Sequence, residues 1–269
     1  MMAQNKVAQH SLKAALVAAA LIVTQPALAL SPSIIQLNNF WAGAGAININ
    51  YTGQVWYNPS ESVNNYSVYG GSGGFKTYNL STDPNKKSPF QTFCVDIFHD
   101  FNFAVDSIDS SPTGTPLGLS SSSILNLDRL YTKYGSNIVS TSSSSINESA
   151  FQLAIWAIVN DGVAINNSGI FNLTNGQPIK FSNDSLGGAV SLAQLLLNNL
   201  GTKSSYNAEF LMVQNQGAVG TTGAQDVMYF APASPVPEPQ TYAMLLAGLG
   251  LVGFIARRRR SQSGTMNLV

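Results

Sequence analysis

The sequence predicts an α+β fold, with mostly antiparallel strands at both ends of the domain and a helical insertion between them. An N-terminal signal helix and a C-terminal transmembrane helix are expected to flank it. Three observations carry this reading. Short runs rich in aromatic and β-branched residues fall before residue 100 and after residue 205. Apolar residues at helical spacing fill the stretch between them. The two ends of the chain are apolar runs with flanking charge, a pattern of export rather than of a folded core.

The strands are expected at Ile47–Tyr57 and Phe75–Leu80, around a Gly70-Gly71-Ser72-Gly73-Gly74 turn. That glycine cluster lacks the Gly-Lys-Ser/Thr ending of a phosphate loop, so it reads as a hairpin or loop. Phe90–Phe98 reads as a strand, and Phe101–Val105 as a segment that pairs with it. Ser110–Ser123 reads as a loop. A helix over Ser123–Tyr134 follows from the spacing of Ile124, Leu127, Leu130, Tyr131 and Tyr134, with Gly135 as its C-terminal cap. Ser145 and Glu148 fit a capping box that opens a second helix over Ile146–Asn160. Gly188–Leu200 is a third helix, closed by Gly201. Tyr206–Gln214 and Asp226–Phe230 complete the domain as strands. No internal repeat is present.

Residues 1–29 have the order of a secretory signal: Lys6 and Lys13, the apolar run Leu12–Val23, and the small-x-small site formed by Ala27 and Ala29. The mature chain is then expected to begin at Leu30. Its domain, residues 30–231, leads into a linker over 232–239, a membrane segment with an Arg cluster over 240–260, and a tail over 261–269. Between Leu30 and Pro237 twelve acidic residues oppose seven basic ones, a net charge of about −5. This excludes the basic stripe that a nucleic-acid partner requires.

Pro237-Glu238-Pro239 is stiff and extended, since proline lacks a donor and disfavours helix in the residue before it. Tyr242–Ala256 is uncharged and apolar. As a helix, about 17 residues at 1.5 Å each span roughly 25 Å, the lower limit for crossing a bilayer. Arg257, Arg258, Arg259 and Arg260 form a cytoplasmic stop. This tail resembles the PEP-CTERM sorting signal of Gram-negative bacteria, although Ser261–Val269 extends beyond the arginines. The resemblance implies recognition by an exosortase, a membrane transpeptidase, with cleavage near Pro237-Glu238-Pro239. Transient residence in the inner membrane would precede release to the cell surface or extracellular matrix, often with exopolysaccharide.

The chain has one cysteine, Cys94, and so no internal disulfide framework. A free thiol in an oxidising compartment is a liability, so Cys94 is expected to be deeply buried or used in chemistry. Gln152 stands inside the otherwise apolar run Phe151–Val159. A helix apolar all round is buried, and its carboxamide must then find a partner or cost about 1–3 kcal/mol. Trp156 lies at i+4, on the same helix face, and can cover it. A buried thiol and a buried carboxamide suggest one reaction: the sulfur attacks the Gln152 carbonyl, expels ammonia and leaves an internal thioester that an amine can open. A buried core cysteine beside a hydrogen-bonded glutamine accounts for the same residues.

Phe93-Cys94 and Gln152-Leu153-Ala154-Ile155-Trp156 resemble the two motifs of the Cys–Gln thioester domains of bacterial surface adhesins. The resemblance implies that Cys94 and Gln152 are the crosslinking pair, shielded by Trp156 and Phe93. An exported, non-enzymatic surface protein follows, attached covalently to an amine-bearing target. The alternative is a structural protein that binds an exopolysaccharide matrix without a covalent bond.

Other chemistry is poorly supported. A cysteine hydrolase would need His99 beside Cys94, but His99 lies five positions on, which on a continuous strand puts it on the opposite face about 17 Å away; only a bend at Asp96–Asp100 would bring the two together. One cysteine and one nearby histidine cannot fill a zinc site. Asp96, Asp100, Asp106 and Asp109 lack the spacing of a calcium loop and read as a solvated acidic turn. No cofactor or metal is expected.

Overall fold

In the computed structural model, the described residues are 33–55, 58–99, 107–113, 118–138, 144–161, 173, 179–213, 225–233, 244 and 246–255. The signal segment, Phe101–Val105 and the Pro237-Glu238-Pro239 and Arg257–Arg260 motifs lie outside them. The chain divides into two units, Met1–Pro232 and Ala233–Val269.

In the first unit the elements are β1 (Ser33–Phe40), β2 (Gly45–Val55), β3 (Asn58–Ser72), β4 (Phe75–Asn79), β5 (Phe90–Cys94) and β6 (Ser107–Thr113). Helices α1 (Ser121–Ile138) and α2 (Ser145–Asp161) follow, then β7 (Ile179–Ser182), α3 (Ala189–Asn198), β8 (Tyr206–Val213) and β9 (Val227–Pro232). Six strands close an antiparallel barrel in the order β1-β4-β5-β9-β8-β6, with β6 pairing back onto β1. The other three form an antiparallel sheet in the order β3-β2-β7. The fold is α+β with antiparallel sheets, as expected. Strands are not confined to the ends, however, because β7 lies between α2 and α3.

Helix α2 is the centre of the unit. Every residue from Glu148 to Asn160 is buried. It packs against β5 of the barrel, against β2, β3 and β7 of the sheet, and against α1 and α3. A helix with no solvent face suits that position. Strand β2 shows the complementary pattern: Ile47, Ile49 and Tyr51 are buried, while Asn48 and Asn50 between them are half-buried. On the barrel side, Phe93 of β5 meets Phe151 of α2 at 5.1 Å between ring centroids. Phe230 of β9 stacks on Tyr131 of α1 at 4.1 Å and meets both phenylalanines edge-on at 6.2 Å. Four elements therefore share one aromatic cluster.

Several expectations are corrected. Strands β1, β3 and β7 were not anticipated, and the Ser110–Ser123 loop contains most of β6. Pairing with β1 and β8 makes that polar segment a strand, which its own composition disfavours. Gly70 and Gly71 belong to β3, so the turn is confined to Gly73 and Gly74. Strand β5 stops at Cys94 instead of running to Phe98. Helix α1 continues through Gly135; a Cβ there would meet the Tyr131 ring at 2.8 Å, so glycine admits the ring and does not end the helix. The start of α2 is capped one residue earlier than expected. Ser144 Oγ accepts the Asn147 N–H at 3.3 Å, and Glu148 turns away to another partner.

In the second unit residues 246–255 are helical, with exposed Leu246, Leu249, Leu251, Val252, Phe254 and Ile255. Among the described residues no helix is long and apolar enough to cross a membrane. The expected membrane segment extends beyond them on both sides.

The aromatic cluster gives a direct test of the packing. Phe151→Ala is expected to lower unfolding free energy by about 3–5 kcal/mol, measured by chemical denaturation.

Candidate functional site

Strand β5 delivers Cys94 to the surface of α2. Cys94 pairs with Val227 of β9, and the next residue, Val95, donates its N–H to the Asp226 carbonyl at 3.0 Å. Backbone groups of successive strand residues point to opposite sides. The N–H and C=O of Cys94 therefore point away from β9, towards the β4 side. Strand β4 begins at Phe75, which pairs with Thr92, so no β4 residue stands opposite Cys94.

Gln152 takes that vacant place. Its Oε1 accepts the Cys94 N–H at 3.0 Å, and its Nε2 donates to the Cys94 carbonyl at 2.6 Å. A side-chain amide from the middle of α2 thus pairs with the strand as a backbone amide would. Both residues are at most 1% exposed. The two sequence-predicted residues meet across 58 positions. Trp156, one turn along α2, is 3% exposed and stacks on Phe181. Its indole lies close to the Cys94 sulfur, yet Nε1 is outside hydrogen-bond geometry and has no acceptor among the described residues. Phe93 packs with Phe151 and Phe230; adjacent residues of a strand point to opposite faces, so its ring lies across β5 from the thiol.

After Cys94 the chain bends. The thiol donates to the Asp96 carbonyl at 2.8 Å. Asp96 Oδ1 accepts the Phe98 N–H at 2.8 Å, and Oδ2 meets His99 Nδ1 at 2.5 Å. Gln225 Nε2 donates to the Asp96 carbonyl at 3.2 Å and also to the His99 carbonyl. His99 is 2% exposed. The distance argument against His99 assumed an extended chain; the bend removes that assumption. Asp96 is fully buried and its carboxylate is occupied by Phe98 and His99, so it is not part of a solvated acidic turn. Asp100 and Asp106 lie outside the described residues. Among the described residues no cluster of three or more potential metal ligands occurs.

Burial pushes the Cys94 thiol well above its usual range, and the nearby Asp96 charge adds to this, with Asp226 contributing. The Trp156 indole and the Asp96 backbone act in the other direction. The thiol is therefore neutral at physiological pH, which protects it from oxidation.

Sequence reading missed three members of this site: the Asp96–His99 pair, Gln225, and Glu148 as a buried group. Glu148 lies one turn before Gln152. Its Oε2 accepts from Gln91 Nε2 at 2.9 Å and from the Gly74 N–H at 3.2 Å, while Oε1 is buried with no partner among the described residues. A Cβ on Gly74 would meet Glu148 Oε2 at 2.7 Å, so only glycine allows this approach. Burial raises the Glu148 carboxyl to about 7; the Gln91 and Gly74 hydrogen bonds oppose the shift. The signal for Glu148 was its place at the head of an all-apolar helix.

Residues 235–260 match the model of the PEP-CTERM protein-sorting motif. The match contains Pro237, Glu238, Pro239 and the four arginines, and it supports an exported protein sorted by an exosortase. No curated protein and no solved structure matches the chain.

Two outcomes follow from this geometry. Gln152→Ala leaves a buried donor and acceptor on Cys94 unpaired, and is expected to cost about 2–5 kcal/mol in denaturant unfolding. Because Glu148 titrates higher in the folded chain than its ordinary 4.5, its contribution is fully present below pH 4.5 and is lost as pH rises through about 7. Glu148→Gln is expected to flatten the stability profile across that window and to stabilise the protein by about 1–3 kcal/mol at pH 8, read from melts at several pH values.

Proposed function

We propose that this exported, exosortase-sorted protein attaches covalently to an amine-bearing surface or matrix target, through an internal thioester between Cys94 and Gln152. One observation carries the reading: the Gln152 carboxamide is held against Cys94, by both of its polar atoms, in a site without water access.

The chemistry balances without a cofactor. Cys94 Sγ attacks Cδ of Gln152, the C–Nε2 bond breaks, and the thiol proton leaves with the nitrogen as ammonia. The Cys94 N–H already on Oε1 is a donor for the negative charge that develops there. Burial keeps water from hydrolysing the product. A primary amine later attacks the same carbon, leaving an amide on Gln152 and restoring the Cys94 thiol. The resemblance of Phe93-Cys94 and Gln152–Trp156 to adhesin thioester domains supports the same assignment.

A second reading has its own observation. A cavity of about 270 Å³ is lined by Phe90 and Tyr229 together with Asn79, Asp83 and Ser88. Aromatic faces beside short polar side chains suit a sugar, and this favours non-covalent binding to an exopolysaccharide matrix.

Intact mass separates the two. The mature protein is expected about 17 Da below its sequence mass, the loss of one ammonia, and about 14 Da above it after methylamine opens the bond. Cys94→Ala is expected to show neither change. An unmodified mass, with Cys94 alkylated stoichiometrically once the protein is unfolded, overturns the thioester. Matrix binding undiminished in Cys94→Ala then favours the second reading.

A further inference from the structure

A bond between Cys94 and Gln152 puts negative charge on sulfur both when it forms and when it is opened. The sulfur sits where that charge is disfavoured. Cys94 and Gln152 are at most 1% exposed, and the thiol donates to the Asp96 carbonyl, an acceptor that offers nothing to a thiolate. We propose that the indole N–H of Trp156 is the catalytic hydrogen-bond donor to the Cys94 sulfur, both as the thioester forms and as an amine opens it. The proposal rests on the thioester reading and adds to it a residue with a defined task.

The placement of the indole comes from the helix. Trp156 follows Gln152 by four residues, so its side chain lies one turn further along the face whose carboxamide holds the Cys94 backbone. The ring stacks on Phe181 of β7, with centroids 6.5 Å apart and 29° between the planes, which limits its rotation. Asn160, a further turn on, donates to the Trp156 carbonyl at 2.9 Å. The indole lies close to the Cys94 sulfur but outside hydrogen-bond geometry, and its Nε1 is buried with no acceptor among the described residues. A buried N–H left unpaired is destabilising and rare in folded proteins. Here it is a desolvated donor beside a neutral thiol, the arrangement of a group preorganised for charge that exists only during reaction.

The surroundings of the sulfur agree. Burial and the charges of Asp96 and Asp226 oppose its ionisation, while the indole and the Asp96 backbone favour it. On the favouring side the indole is the side chain. In formation, Sγ bonds to Cδ of Gln152 and the thiol proton leaves on Nε2 as ammonia. As the S–H bond breaks, the sulfur loses its contact with the Asp96 carbonyl and takes the indole N–H in its place. In opening, the amine nitrogen bonds to Cδ, the C–S bond breaks with its electron pair on sulfur, and the proton that the amine gives up ends on that sulfur. The indole N–H stabilises the thiolate until that proton arrives.

A donor and a mere shield differ in sign, and the mature protein treated with methylamine tells them apart by intact mass. Trp156→Phe keeps an aromatic ring over the site and removes the N–H. It is expected to keep the deficit of about 17 Da and to slow opening at least about tenfold. That is less than the roughly 10²–10³-fold that one oxyanion donor is worth, because sulfur is a weak acceptor. A shield alone predicts faster opening, by methylamine and by water, because the smaller ring admits both. Should Trp156→Phe fail to fold, 3-benzothienylalanine in place of Trp156 keeps the outline of the indole without its N–H, and the same slowing is expected. A folded protein with that replacement that never acquires the deficit supports the donor at the forming step. Opening at or above the wild-type rate in a variant that keeps the deficit overturns the donor and leaves the thioester standing. No deficit in the wild-type protein overturns the thioester itself.

Discussion

The pairing of the Gln152 carboxamide with the Cys94 backbone is the constraint on which the rest of the unit depends. It is a sheet hydrogen-bond pair in which one partner is a side chain. Strand β5 needs it because β4 begins too late to cover Cys94. Helix α2 needs it because an amide among apolar neighbours has no other way to be satisfied. Each solves the other's desolvation problem, and together they fix the height of the helix against the barrel. Any chemistry at the pair uses a geometry already required for folding.

Around this contact the helix has no face left for solvent. One side carries Phe151 into the aromatic cluster, and the face that Gln152 shares with Trp156 carries the indole onto Phe181 of β7. At its head, Glu148 reaches Gly74 and Gln91 and so ties α2 to the turn between β3 and β4 and to β5. That carboxyl sits at a cost when ionised, since burial opposes its charge and one oxygen lacks a donor among the described residues. Tertiary packing, not helical propensity, holds α2 in place.

The bend after Cys94 shows how a local rule fails for a global reason. Phe90–Phe98 has the composition of one long strand. Val95 still bonds to Asp226, but Asp96 then spends its carboxylate on the Phe98 N–H and on His99. An aspartate that satisfies nearby backbone competes with the ladder, and here Gln225, from the other end of the domain, satisfies the buried carbonyls of Asp96 and His99 that the bend takes out of the ladder. Nothing in residues 90–98 announces the glutamine at 225.

By itself the sequence determined what depends on local order and composition. The tail motif, matched over residues 235–260, is legible because it consists of consecutive residues. The lone cysteine, the glutamine inside an apolar helix, and strands β2, β8 and β9 were legible for the same reason: alternation and helical spacing are short-range signals. Only the tertiary structure decided that β1, β3, β6 and β7 are strands, since polar or short segments acquire that state from their neighbours. It alone brought Gln152 to the backbone of Cys94 and folded His99 onto Asp96. Each of these joins groups distant in the chain or bent out of regular structure, and burial rather than local preference selects them.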